Sequence, residues 1–430
     1  MTKTYDTYRD SGIAWIGNIP SEWNLERLQS LTKEINEKNN PIKTDYVLSL
    51  TIKDGVIPYE QKGDVGNKSK DNHEEYKLAY PNTIVLNSMN ILIGAVGICN
   101  YFGCVSPVYY VFKNNERSNL HFINYILSST PFQKYLRKYA NGILEIRLRI
   151  SSNDIIKRYI PTPPLNEQQA IATYLDKKCG EIDSLISLQE EMISELQAYK
   201  QSVITEAVTK GLDSNVPMKD SGVEWIGMIP EGWNVSSLKH IINGHLQYGA
   251  NESGTLFEEG LPRYVRITDI LDNKLREDIQ KQSLTEEQAS GFILQDKDIL
   301  FARSGGTVGK SFIYRRKYGR CAFAGYLIKA AINQKNDADF IYYYTLSSSY
   351  DEWKKRIFIQ ATIQNIGADK YSLMEIPLPP LSEQQAIASY LDEKTSQIDS
   401  LIALKQEKIT ELKDYKKSII YEYVTGKKKV

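Results

Sequence analysis

The chain has 430 residues, 41% of them hydrophobic and 25% charged, and its 53 Lys+Arg balance 53 Asp+Glu for a formal net charge of +0. This describes a soluble globular chain too long for one ordinary core, so two or more domains are expected. Net charge alone predicts no polyanion partner. The longest apolar run, Ile91 to Cys99, is too short for a membrane span, and no C-x-x-C spacing joins Cys99, Cys104, Cys179 and Cys321. The start, "MTKTYDTYRD", has no apolar signal core, and a cytoplasmic protein is expected.

The first recognisable stretch is "DSGIAWIGNIPSEWNL" at Asp10, and a near copy, "DSGVEWIGMIPEGWNV", begins at Asp220. From Asp10 to Leu28 against Asp220 to Leu238, 11 of 19 positions are identical, Trp15/Trp225 and Trp23/Trp233 among them. A body of about 136 residues follows the first copy, rich in strand-like runs such as "YVLSL", "TIVLNSM" and "CVSPVYYVF". Asn87 and Ser88 end one of these runs and are polar enough to meet base edges. Near the end of the body, "EIRLRISSNDIIKR" places Arg147 and Arg149 two residues apart, hence on one face of a strand; a solvated face is the competing reading.

Next comes "PTPPLNEQQAIATYLD…", residues 161–211, which matches 377–427 without gaps at 31 of 51 positions. Both segments read as long helices. Pro-rich stretches block anything earlier from being helical, and Asn166 with Gln169, like Ser382 with Gln385, fits a capping box. Glu167 and Glu383 then fall in the first turn, and Gly211 and Gly426 mark the ends. A largely apolar stripe spaced 3-4-3-4-3-4 runs through Ile182, Leu185, Gln189, Met192, Leu196, Tyr199 and Val203, and again through Ile398, Leu401, Lys405, Lys408, Leu412, Tyr415 and Ile419. A seam of that length needs a partner helix, and its own duplicate is the obvious one, giving an antiparallel coiled coil with an internal pseudo-two-fold.

The second body, 235–376, shares almost no residues with the first, although its runs "RYVRITDI", "DILFARSG" and "SFIYRR" and its late helical patch fall in similar places. From Ile299 to Asn336 it has no Asp or Glu, while Arg303, Lys310, Arg315 and Arg316 lie within that stretch. "SGGTVGKS", Ser304–Ser311, resembles a phosphate loop. However, Ser304 stands where that loop needs glycine, and a strand-like run follows instead of a helix. The better reading is a Gly-rich turn, around Gly305, that lets Arg303, Ser304 and Lys310 approach a nucleic-acid backbone or base edge. No metal-ligand spacing, nucleophile elbow or methyltransferase tetrapeptide occurs, so no catalysis is expected.

The expected architecture is α+β: two mixed bodies, 1–160 and 212–376, each followed by a long helix, 161–211 and 377–430. The repeated "SGIAWIGNIPSEW"/"SGVEWIGMIPEGW" and "PPLNEQQAIATYLD"/"PPLSEQQAIASYLD" closely resemble the specificity subunit of type I restriction–modification systems, over essentially the whole chain. The resemblance implies a non-catalytic subunit whose two domains each read half of a split double-stranded DNA site, with the helices fixing the gap. It implies docking of two methyltransferase subunits that use S-adenosylmethionine, and of motor–nuclease subunits that use ATP and Mg. This chain would itself bind no cofactor, metal or membrane. A coiled-coil scaffold that binds only proteins is the alternative.

Overall fold

The computed structural model describes residues 4–63, 72–141, 148–271, 273–359 and 365–430. The chain divides into two compact units, Met1–Glu190 with Glu407–Val430, and Glu191–Gln406. Each unit therefore contains one body, the opening part of the long helix that follows it, and the closing part of the other long helix.

In the first unit the Trp motif folds into a small hairpin, Tyr8–Asp10 against Asn18–Pro20. The body is then framed by Asn24–Arg27 paired antiparallel with Tyr159–Thr162, so the chain enters and leaves the body side by side. Its main sheet is antiparallel, in the order Thr32–Ile35, Tyr109–Asn114, Thr83–Asn87, Val96–Cys99. The run "TIVLN" has every residue buried, as an inner strand covered on both faces requires. Leu48, Val56, Val85, Cys99, Val105 and Val111 form a core beside it. Helix Leu120–Ser128 follows, started by the Asn119 side chain accepting from the Phe122 N–H at 3.0 Å.

The second unit repeats this plan with other residues. Its hairpin is Met218–Asp220 against Met228–Pro230, and its framing pair is Asn234–Ser237 against Glu375–Leu378. The main sheet runs Gln247–Tyr248, Leu327–Ala330, Ile299–Ala302, Ser311–Ile313, again antiparallel throughout. A second four-stranded sheet is added, in which Arg263–Val265 and Cys321–Phe323 pair in parallel. Helices Ala338–Tyr344 and Ser348–Ile359 complete the body, with Phe301, Phe340, Tyr344, Tyr350 and Tyr371 buried in one core.

The long helices are Leu165–Lys210, 46 residues, and Leu381–Val424, 44 residues. Both start earlier than the expected capping boxes. The Pro164 carbonyl accepts from the N–H of Glu167 and of Gln168 at 2.9 Å, and the Pro380 carbonyl from those of Glu383 and Gln384 at 2.9 and 3.0 Å. Asn166 and Ser382 are thus already inside the first turn, because the Pro164 and Pro380 carbonyls, one residue before each helix, accept its first backbone bonds. Both helices stop at a left-handed glycine, Gly211 at φ +78° and Gly426 at φ +70°. At Gly426 no other residue fits, since an added Cβ would stand 2.3 Å from Cδ of Pro20.

Within the first unit the two helix segments run antiparallel. The Tyr174 and Tyr423 rings lie 4.5 Å apart, and Lys416 pairs with Asp183 at 2.7 Å. Within the second unit Lys200 pairs with Asp399 at 2.6 Å, the same two positions exchanged between copies. There the Lys405 amine also meets the Met192 sulfur at 3.4 Å. Among the described residues no helix is long and apolar enough to cross a membrane.

Candidate nucleic-acid interface

Each body is locked to its long helix by the same two side chains. The Trp23 indole N–H donates to Glu167 at 3.1 Å, and Trp233 donates to Glu383 at 3.2 Å, both indoles being 1% exposed. The first-turn carboxylate is stabilised by the helix N-terminus and returns that order to the Trp motif. The next residue bridges to the body's first helix. The Gln168 amide oxygen accepts from the Asn119 N–H at 2.9 Å, and its amide nitrogen donates to the Pro163 carbonyl at 3.0 Å. Gln384 makes the equivalent bonds to the Asp337 N–H, 2.8 Å, and the Pro379 carbonyl, 2.9 Å. Trp15 instead packs inside the body, its ring 5.1 Å from that of Phe132.

On this frame the second unit presents the turn between strands Ile299–Ala302 and Ser311–Ile313. The residues after the turn form a strand, so no helix N-terminus faces a phosphate there. Gly305 and Gly309 adopt φ of +79° and +80°, and an added Cβ at Gly309 would meet Lys354 at 2.3 Å. The Tyr371 hydroxyl donates to the Ala302 carbonyl at 3.0 Å and that of Tyr350 to the Gly309 carbonyl at 2.8 Å, tying the turn to the core from below. Arg303 is half-buried, with its guanidinium 5.0 Å over the Tyr248 ring. Ser304 bridges to Asn365, and Gly305 and Lys310 are exposed.

The rest of the basic stretch divides by partner. Arg315 is bound to Asp339, as is Lys297 at 2.7 Å. Burial pushes the Asp339 carboxyl up, but hydrogen bonds from Arg315 and Lys297 outweigh it and hold the group below the usual carboxylate range. Arg320 is bound to Glu286. Arg316 is exposed, and its backbone N–H donates to Asp296 at 2.7 Å. Of the residues singled out from sequence here, Arg303, Ser304, Gly305 and Lys310 are brought together on one turn, whereas the Arg315 charge is used internally.

The first unit carries a different surface at the equivalent strand end. Asn87 and Ser88 are buried, at 6% and 4% exposure. The Asn87 side chain accepts from the Met89 N–H at 2.9 Å, and the Ser88 carbonyl accepts from the Ile150 N–H at 3.1 Å. Arg149 is exposed and its backbone bridges Asn141; Arg147 lies outside the described residues. Ile52 and Ile93, 60% and 62% exposed, form the apolar tip of this end. Sequence reasoning passed over Tyr248, Tyr326, Ile52 and Ile93. Nothing in the local pattern distinguishes them from core residues, and only their exposure does.

Along the long helices, Ile182, Val203, Ile398 and Ile419 are buried, while Met192, Leu196 and Leu412 are half-buried. Leu185, Tyr199, Leu401 and Tyr415 are exposed, at 47%, 55%, 47% and 54%, as are Leu188 and Leu404. The expected stripe is thus wider than the seam that one partner helix covers, and its outer row faces solvent.

The fold is shared with chains of solved structures. One chain from a solved structure of the type I R-M system is similar with a TM-score of 0.73 at 16% identity, over 94% of this chain and 98% of that one. The HsdS subunit from Thermoanaerobacter tengcongensis is similar with a TM-score of 0.53, also at 16% identity, over 95% and 98%. In sequence, the type I restriction enzyme MjaVIII specificity subunit of Methanocaldococcus jannaschii is 25% identical, over 96% of this chain and 94% of its own length. The EcoKI specificity subunit of Escherichia coli is 28% identical over 47% of this chain. The family model for the type I restriction modification DNA specificity domain matches twice, at residues 20–198 and 230–414. The chain belongs to this family and contains its domain in duplicate.

Proposed function

We propose that this chain is the non-catalytic subunit that gives a type I restriction–modification complex its DNA specificity, each unit reading one half of a split, asymmetric double-stranded sequence. One observation carries the reading. Two bodies of the same strand order, held by the same Trp–Glu and Gln clamps, offer different chemistry at the same strand end, Arg303 to Lys310 in one and Ile93 with Arg149 in the other. A protein binding a repeated half-site would need the same surface twice. Helices of 46 and 44 residues, about 69 and 66 Å long, exceed the roughly 34 Å between half-sites one turn apart, and so serve as the spacer.

The exposed apolar rows Leu185–Leu188 and Leu401–Leu404, with Tyr199 and Tyr415, supply matching surfaces for two methyltransferase subunits. Those partners bring S-adenosylmethionine, and motor–nuclease subunits bring ATP and Mg, all in the cytoplasm where the DNA lies. The test is long-read mapping of adenine methylation in the host genome with and without this gene. Loss of one split motif on deletion is the expected result. An unchanged methylome, together with no salt-dependent DNA binding by the assembled complex, overturns the reading in favour of a protein-only scaffold.

A further inference from the structure

We infer that Arg303 selects a guanine in the half-site read by the second unit, with Tyr248 as the platform that aims it; this rests on the DNA-specificity reading above. A side chain that reads a base edge needs a fixed direction and free donors, whereas a phosphate contact needs little more than charge. Arg303 meets the stricter requirement. Its backbone is pinned on both sides, the N–H donating to the Tyr326 carbonyl at 3.1 Å and the carbonyl accepting from the Ile366 N–H at 2.9 Å. Its guanidinium lies 5.0 Å over the Tyr248 ring, and the Tyr248 hydroxyl is itself fixed by the Ala368 N–H at 3.0 Å.

The donors are also unspent. Among the described residues no carboxylate pairs with Arg303; its Nε is buried without a hydrogen-bond partner, so the donors left for a base edge are the two terminal amino groups. Arg315 and Arg320 in the same stretch are occupied by Asp339 and Glu286. Lys310 is exposed at the far end of the turn, a flexible point charge suited to phosphate. A planar, stacked guanidinium matches the two acceptors, O6 and N7, that guanine turns to the major groove. Tyr326, 64% exposed and joined to the Arg303 backbone, adds a second solvent-facing aromatic ring beside Arg303 among the described residues.

The experiment uses the assembled complex and a set of duplexes carrying its mapped target with each base pair replaced in turn. Arg303→Ala is expected to abolish discrimination at a single G·C pair, a change of roughly 5- to 150-fold, and to keep the ratios at every other position. Arg303→Lys, which retains the charge without the fork, is expected to recover only part of it. Tyr248→Leu should flatten the same pair, and Tyr248→Phe, which keeps the ring but loses the bond from the Ala368 N–H, should retain most of the discrimination. Lys310→Ala should weaken all duplexes alike and reduce the slope of log affinity against log salt by about one. If Arg303→Ala weakens every duplex equally with all ratios preserved, Arg303 is a backbone contact or a fold residue and the inference is wrong. If the wild-type complex prefers none of the duplexes, the DNA-specificity reading fails instead.

Discussion

Trp23 reaches Glu167 over 3.1 Å in the first unit, and Trp233 reaches Glu383 over 3.2 Å in the second. At the strand end that carries Arg303 in the second unit, the first carries buried Ser88. The frame keeps its residues and the body keeps only its strand order. An indole donor aimed at a first-turn carboxylate, or an amide spanning two backbone groups, can be made by few side chains, so those residues recur. A four-stranded antiparallel sheet needs only burial and pairing, which many sequences satisfy. Identity is retained where a contact has specific chemistry, and is lost where the requirement is volume.

The comparison is most strongly tested at the Trp positions. Trp233→Ala should cost about 3–5 kcal/mol and leave Glu383 without its indole donor; Trp23→Ala should cost a similar amount in the other unit, although Glu167 keeps the Tyr5 hydroxyl as a donor. Hydrogen exchange read by mass spectrometry should show protection lost in the mutated unit and kept in the other; loss in both would mean the frame is one cooperative block. A smaller effect separates the bodies. Asp339→Asn should cost about 1.5–3 kcal/mol at neutral pH, because Arg315 and Lys297 lose a charged acceptor, while its counterpart His121 meets Asp176 at 3.0 Å at the body surface. The folded Asp339 carboxyl is held low, so its contribution is present above the unfolded value near 3.9 and disappears as pH falls through the folded one. Denaturation midpoints of wild type and variant should therefore converge on acidification. The smallest effect tests the equivalence of the duplicates. Lys200→Ala and Lys416→Ala should each cost about 0.2–1 kcal/mol and less in high salt, by matching amounts, since each amine meets one exposed aspartate.

Much of this arrangement was legible in the residues. The duplication, the two long helices, their glycine stops and the strand before Arg303 all follow from local pattern. The helix starts were misplaced because Asn166–Gln169 satisfies a capping pattern while Pro164, two residues earlier, already supplies the first acceptor. The stripe through Leu185 and Tyr199 gave the helix face but not its coverage, since periodicity records which side is apolar and not how wide its partner is. Arg315 read as part of a basic patch because its neutralising partner, Asp339, is 24 positions away. Asn87 and Ser88 read as polar enough to meet base edges, yet both are buried, Ser88 beneath the backbone of Ile150. Each of these is a tertiary fact, decided by what the fold brings from elsewhere.

The pairing of Asn24–Arg27 with Tyr159–Thr162, and of Asn234–Ser237 with Glu375–Leu378, has a consequence for how such a gene can change. The incoming and outgoing chains of each body are adjacent, about 4.8 Å apart, so everything between them hangs from a single doorway. A crossover in the coding sequence on either side of that doorway replaces the whole reading surface in one event. The indole, carboxylate and amide that receive it lie outside the exchanged stretch, in sequence the two copies already share. New recognition can then arrive by substitution of a module rather than by gradual redesign, with the mechanical parts untouched.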